Sequence, residues 1–219
     1  MRDLYVLGRN PANPFPDVKR VVILPVANLT RSVIDPAAAA NLLASECAAF
    51  PGFDVVWPAE AQPFLAAGKG MIETPEDAIR IGKEMNADGV IFAMITEHDP
   101  YDPPVTSLTL YLFATNVRPK GHAPLWEMSE RASPGLLPGA RGHEKVVAAI
   151  QRVYSARTVA VEKKLRAWAR QRDREIDIGW ERYKRVNDEY MRFCFNMILR
   201  EMCDLGGGAS TKHQTANAK

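Results

Sequence analysis

"VVILPVANLT", residues 21–30, decides how this chain is read. Lys19 to Val26 is a nearly unbroken apolar run of one strand's length. A strand without polar alternation suits a central position, covered on both faces. The residues after it could in principle cradle a phosphate. Such a cradle needs glycines and a helix start that presents backbone N–H groups. Between Asn28 and Asp35 there is neither glycine nor lysine. Asn28-Leu29-Thr30 therefore reads as the start of a plain loop. It also fits the glycosylation triplet, which arises often by chance and carries no weight here.

Working outward, Asp35-Pro36 is a helix start, with Asp as cap and Pro at the first helical position. That helix runs to about Phe50, and Pro51-Gly52 stops it. Phe53–Trp57 is a second strand and Pro58–Ala67 a short helix. Thr74-Pro75-Glu76-Asp77 repeats the start signal, with acids at the positive helix end. Ala78, Ile81, Gly82 and Met85 form its inward stripe. "DGVIFAMITE" (88–97) is a third strand, followed by the turn-rich "EHDPYDPP" (97–104). "VTSLTLYLFAT" (105–115) alternates as a fourth strand. "APLWEMSERA" (123–132) reads as a fifth, with Trp126 and Met128 inward and Glu127 and Ser129 toward water.

From residue 141 the period changes. Val147, Ile150, Tyr154, Val161, Leu165 and Trp168 fall at helical steps. Trp180, Tyr183, Val186, Tyr190, Phe193, Met197, Ile198 and Met202 mark a second helix. One bent helix and a hairpin both remain open for 141–205. The expected fold is α/β: a mixed sheet of about five strands with two or three packed helices, followed by a C-terminal pair of long helices. The first crossovers should be parallel and the last strands an antiparallel meander. The expected organisation is an irregular lead-in (1–18), an α/β domain (19–140), a helical extension packed on it (141–205) and a disordered tail (206–219).

The first 132 residues, read in this order, resemble the α/β domain of the curli-export lipoprotein (CsgG-type) family. Related modules include the N-terminal domain of TolB. The resemblance rests on four marks: "VVILPVANLT", then "FDVVW" leading into "AEAQPFL", then "AIRIGKEMNADGVI" entering the third strand, then late strands with the Trp-centred "LWEMS". It covers residues 19–132 and implies an envelope protein without catalytic residues, often assembled into rings. The long amphipathic hairpins of the curli pore have no counterpart here, so pore formation is not implied.

At 219 residues, with 47% hydrophobic and 25% charged residues, the chain can bury a core without metals or disulfides. Cys47, Cys194 and Cys203 do not make a disulfide framework, and Cys47 and Cys194 read as buried thiols. No run of about 18 apolar residues crosses a membrane as a helix. Residues 1–140 hold 11 Lys+Arg against 16 Asp+Glu, and residues 141–219 hold 17 against 10. An acidic front and a basic back imply two parts with different surroundings.

Few constellations carry chemistry. Glu97, His98, Asp99 and Asp102 stand at the carboxyl end of a strand, where ligands of open sheets bind, and offer oxygen and imidazole donors to a metal. The simpler reading, a solvated turn, is favoured, and no metal or cofactor is expected. His98, His122, His143 and His213 have no metal-ligand spacing, and no nucleophile elbow or HExxH is present. The basic segment "RTVAVEKKLRAWARQRDR" (157–174) places Arg166, Arg170 and Arg174 on one helix face, with Lys163 and Lys164 beside it. A solvated face is favoured, and a surface for a partner or an anionic membrane comes next. Nucleic acid is disfavoured because one tryptophan is not an aromatic interleave.

The function expected from the sequence is a non-enzymatic interaction or scaffold module. It is lipoprotein-like and belongs to a bacterial envelope export or assembly complex. Its partners are proteins of that complex, with a homo-oligomer and membrane-surface contact compatible with it. The location is the periplasm or the periplasmic face of the outer membrane if a signal has been removed, and otherwise the cytoplasm. The alternative is a cytoplasmic small-ligand or nucleic-acid binding protein using the strand-end loops or the basic helix.

Overall fold

The computed structural model describes residues 7–67, 72, 74–116, 146–172 and 179–216, with side chains as far as 207. Its sheet comprises β1 (Arg20–Ile23), β2 (Ala27–Asn28), β3 (Asp54–Val56), β4 (Gly89–Asp99), β5 (Val105–Ala114) and β6 (Val146–Ser155). The order is β3-β1-β4-β5-β6, and β2 pairs with β4 beyond the end of β1. β1 is parallel to β3 and β4, and β2 is parallel to β4. The β4–β5 and β5–β6 ladders are antiparallel. The expected mixed α/β fold is present.

The local signals act as the sequence suggests. Asp35 caps α1 (Pro36–Ala48) by accepting from the Ala37 and Ala38 N–H groups. Thr74 and Asp77 close a capping box on α3 (Pro75–Glu84). Asn86 ends that helix with a positive φ of 52°. The Ala87 N–H returns to Gly82 O and the Asn86 N–H to Lys83 O, a Schellman closure. Gly82 is required for close approach: a Cβ there would overlap Val90 and Thr115.

Two apolar layers sandwich the sheet. Val21, Ile23, Ile91, Ile95, Leu108, Leu110 and Ile150 face α1, α4 (Val159–Arg172) and α6 (Asn187–Ala216). Val22, Leu24, Val90, Phe92 and Phe113 face α2 (Pro58–Ala66) and α3. Both faces of β1 are thus covered, which is why its sequence shows no alternation.

Two expectations need correction, and the lead-in gains a role. Residues 146–155 are not helical. They form β6, so the sheet extends past the expected boundary at 140. Val147, Ile150 and Tyr154 satisfy helical steps, but Ala148, Ile150 and Tyr154 satisfy period two equally well. β5 supplies a full ladder that decides between them. The lead-in is irregular but belongs to the core: Leu7, Phe15 and Val18 are buried. The backbone of α6 continues to Ala216, where a disordered tail was expected from 206. Gly206 packs against Pro14 and Phe15, where a Cβ would overlap both rings. The fifth strand expected at 123–132 lies outside the described residues. The C-terminal helices are α4 and α6, with the short α5 (Arg182–Arg185) between them.

Candidate interaction surface

The loop "EHDPYDPP" is shorter than expected, because β4 continues through Asp99. A β-bulge at Thr96 lies between the pairs Ile95–Leu108 and Glu97–Ser107. One extra residue re-aims everything after it. Glu97 is left exposed, and His98 turns beneath α6 opposite Thr106, 9% exposed. Asp99 pairs with Arg157 at 3.0 Å, and Asp102 lies 3.2 Å from Lys184 and 3.7 Å from Arg185. The four candidate ligands are therefore splayed rather than gathered. Among the described residues no group of three or more His, Cys, Asp or Glu is placed to hold a metal.

His98 is instead a junction. Its Nδ1 shares a hydrogen bond of 3.1 Å with the Thr106 hydroxyl. Its carbonyl accepts from the Ser32 hydroxyl at 2.8 Å, tying in the β2–α1 loop. The Asn187 side chain at the start of α6 also hydrogen-bonds it. Burial holds the imidazole below its ordinary pKa, against opposing effects of Asn187 and Asp99.

Around this junction the strand-end loops present apolar side chains to solvent. Leu29 and Val33 come from the β2–α1 loop, with Val33 fully exposed. Tyr101, 80% exposed, caps the β4–β5 turn. Val159 opens α4, and Val186 links α5 to α6; both are exposed. These segments converge. The Leu29 N–H donates to Ile95 O, the Ala156 N–H to Pro104 O, and the Asp99 and Asp102 ion pairs bind Arg157, Lys184 and Arg185 to the β4–β5 turn. The result is an apolar end held on a hydrogen-bonded and ion-paired frame. The sequence reading did not select these five residues. The available signal was bulky apolar groups inside turn-rich segments, which resembles scattered surface hydrophobes until the loops are brought together.

The basic helix is less open than its composition suggests. Of the residues singled out there, Lys163 is exposed, while Lys164, Arg166 and Arg170 are half-buried; Arg174 lies outside the described residues. Lys164 approaches Glu201 at 3.9 Å, and Arg166 lies over the Trp180 ring at 5.5 Å. The neighbouring Arg172 is drawn inward to Glu46. Much of the cationic charge thus faces the fold rather than a groove. All three cysteines are buried, and burial raises each thiol, Cys203 to about 12.

The class defined by this architecture is a mixed α/β domain with helices on both faces of its sheet and a helical C-terminus. No protein-family profile and no curated protein matches the chain. Several solved structures are similar in fold. The PelC dodecamer from Paraburkholderia phytofirmans shares 18% identity over 48% of this chain, with a TM-score of 0.31; the alignment spans 66% of that chain. The LpoB C-terminal domain from Salmonella enterica shares 13% over 63% of this chain and 82% of its own, with a TM-score of 0.41. Lipoprotein GNA1162 from Neisseria meningitidis shares 13% over 72% of this chain and 99% of its own, with a TM-score of 0.40.

Proposed function

We propose that this chain is a non-catalytic docking and scaffold module of a bacterial envelope export or assembly complex. The observation that carries the docking role is the apolar loop end around His98. Exposed Leu29, Val33, Tyr101, Val159 and Val186 are bulky groups on a frame stiffened by three ion pairs. Exposed apolar side chains on adjoining loops, with ion pairs between those loops, match the usual anatomy of a protein interface. Tyr101 has the features of an anchor, with large area and few rotamers. The envelope setting rests on the resemblance of residues 19–132 to curli-export-type domains. The location follows from it: the periplasm or the periplasmic face of the outer membrane where a signal is removed, and otherwise the cytoplasm. A homo-oligomer is compatible with such a surface.

The test is site-specific photo-crosslinking in the native host. A photoreactive residue placed at Val33 or Tyr101 is expected to give discrete adducts. The same residue at Lys83, beside the amino end of β4, is expected to give none. Equal crosslinking at all three positions, or none at any, overturns the docking reading. Loss of the native chain's envelope fractionation overturns its setting.

A further inference from the structure

We propose that Arg166 and Lys184, both set over the indole of Trp180, form a receptor for a carboxylate, supplied by an acidic segment of the docked protein. That the acid belongs to a protein rests on the docking reading above; the receptor itself stands on its own geometry.

Arg166 differs from the other cations that the fold draws inward. Lys164 approaches Glu201, and Arg172 and Arg192 share Glu46. Arg166 is half-buried, with its Nε enclosed and without a hydrogen-bond partner. Among the described residues the group it meets is the Trp180 ring, at 5.5 Å, and no acid pairs with it. An indole attracts a cation but has a donor and no acceptor, so it leaves the N–H groups of Arg166 unpaired. Lys184 lies over the same ring at 5.8 Å, with its side chain 18% exposed. Its carboxylate partner, Asp102, is shared with Arg185. Two further acids are close in sequence, Glu162 one turn before Arg166 and Glu181 beside Trp180. Among the described residues neither pairs with Arg166 or Lys184. Two cations over one ring repel each other, and an oxyanion near both offsets that repulsion. Arginine matches a carboxylate with two parallel N–H donors, a fork in which Nε takes part.

The position selects the class of occupant. Val159, Lys163 and Arg166 fall at helical steps on one face of α4. Val159 and Lys163 on that face are exposed. Arg166 stands about 10 Å beyond Val159 along the helix. On the other side of the receptor, the exposed Val186 follows Lys184 and Arg185 in the chain. The receptor therefore adjoins the apolar loop end, and an occupant of both carries apolar groups and an acid about 10 Å apart. A protein segment meets that description. An anionic membrane plane also combines apolar and acidic groups, but Asp35, Glu97 and Asp188 stand exposed around the same end and oppose it. The enclosed Nε is reached by a side chain rather than by a plane.

NMR titration of the full chain with a hexaglutamate peptide at low salt tests the receptor. The Arg166 Nε–H and Trp180 indole N–H signals are expected to shift together and to saturate with one midpoint. Arg166→Gln is expected to weaken binding about tenfold or more, and Arg166→Lys, which keeps the charge but loses the fork, nearly as much. Arg20→Gln, at an exposed ion pair on β1, is expected to change nothing. No saturable shift at Arg166 and Trp180, or equal affinity in Arg166→Gln, overturns the receptor. If Arg166→Gln does not fold, the wild-type titration decides, and an unsaturated response spread equally over Arg20, Lys83 and Arg166 overturns it. Tighter binding of inorganic phosphate or of phosphatidylglycerol vesicles than of hexaglutamate, read at the same two signals, overturns the acidic protein as occupant. The variant Asp173→Asn, Glu175→Gln, Asp177→Asn tests the chain itself as the source of the acid: a shift of its Arg166 Nε–H signal without peptide overturns an external one. Crosslinking at Val33 and Tyr101 can fail while the peptide still binds, and the reverse, so the two readings fall separately.

Discussion

Glu46 of α1 and Arg172 at the end of α4 meet at 2.6 Å, with the carboxylate only 2% exposed. Arg192 reaches the same oxygen at 3.4 Å, and Asn196 donates to the other at 3.1 Å. Arg200 extends the network from Asn196 to the carbonyls of Gly8 and Arg9. One acid therefore joins α1, α4 and α6, and through them the lead-in. Removing it leaves the buried Asn196 amide without this acceptor and takes the carboxylate from two partly exposed arginines. Glu46→Ala is expected to cost about 1–3 kcal/mol in urea unfolding. The exposed pair Arg20–Asp54 is the control, and Asp54→Ala is expected to cost under about 1 kcal/mol. Equal costs at the two sites would show that the buried network is not a clamp.

Phe193 is fully buried in α6, with ring centroids of Tyr190, Trp168 and Tyr154 at 5.8, 5.9 and 6.1 Å. Phe193→Ala is expected to cost about 3–5 kcal/mol, because rings on three sides cannot collapse into the space. Removal of residues 176–219 uncovers the whole α6-facing side of the sheet. The fragment 1–175 is expected to aggregate. A soluble fragment with the full chain's melting temperature would show α6 to be an appendage.

Gly82→Ala places a methyl group into Val90 and Thr115, where α3 lies on the sheet. Overpacking of this kind costs about 1–3 kcal/mol. Gly207, in open space, is the comparison: Gly207→Ala is expected to be neutral or stabilising, since alanine favours helix. Thermal unfolding of the two variants separates the effects.

The buried thiols give a pH dependence of defined sign. An unfolded cysteine ionises near 8.5, whereas Cys203 is held up to about 12 and Cys47 and Cys194 are also raised. Raised folded pKa values mean stability is complete below about pH 8.5 and declines as pH rises toward 12. Melting temperature is expected to fall across pH 9–11. A thiol reagent at pH 8 is expected to modify none of the three until denaturant is added. Rapid labelling of the native chain would contradict their burial.

Much of this architecture is legible in the chain. The unbroken run 19–26, the Asp35 and Thr74 caps, and the alternation of 105–115 are local signals with local causes: burial on both faces, unsatisfied N–H groups at helix starts, and pleat periodicity. These alone define the parallel β-α units and the β4–β5 hairpin. Residues 146–155 needed the tertiary structure, because their apolar spacing fits both periods and only the β5 ladder chooses. The Thr96 bulge was equally invisible. It adds no unusual residue, yet it turns His98 inward and Glu97 outward and so dissolves a plausible ligand cluster. The apolar loop end and the Glu46 clamp are assembled from segments distant in sequence. Val33, Tyr101 and Val186, like Glu46 and Arg172, have no periodic relation. Their proximity comes from strand order and helix packing, which a one-dimensional pattern does not contain.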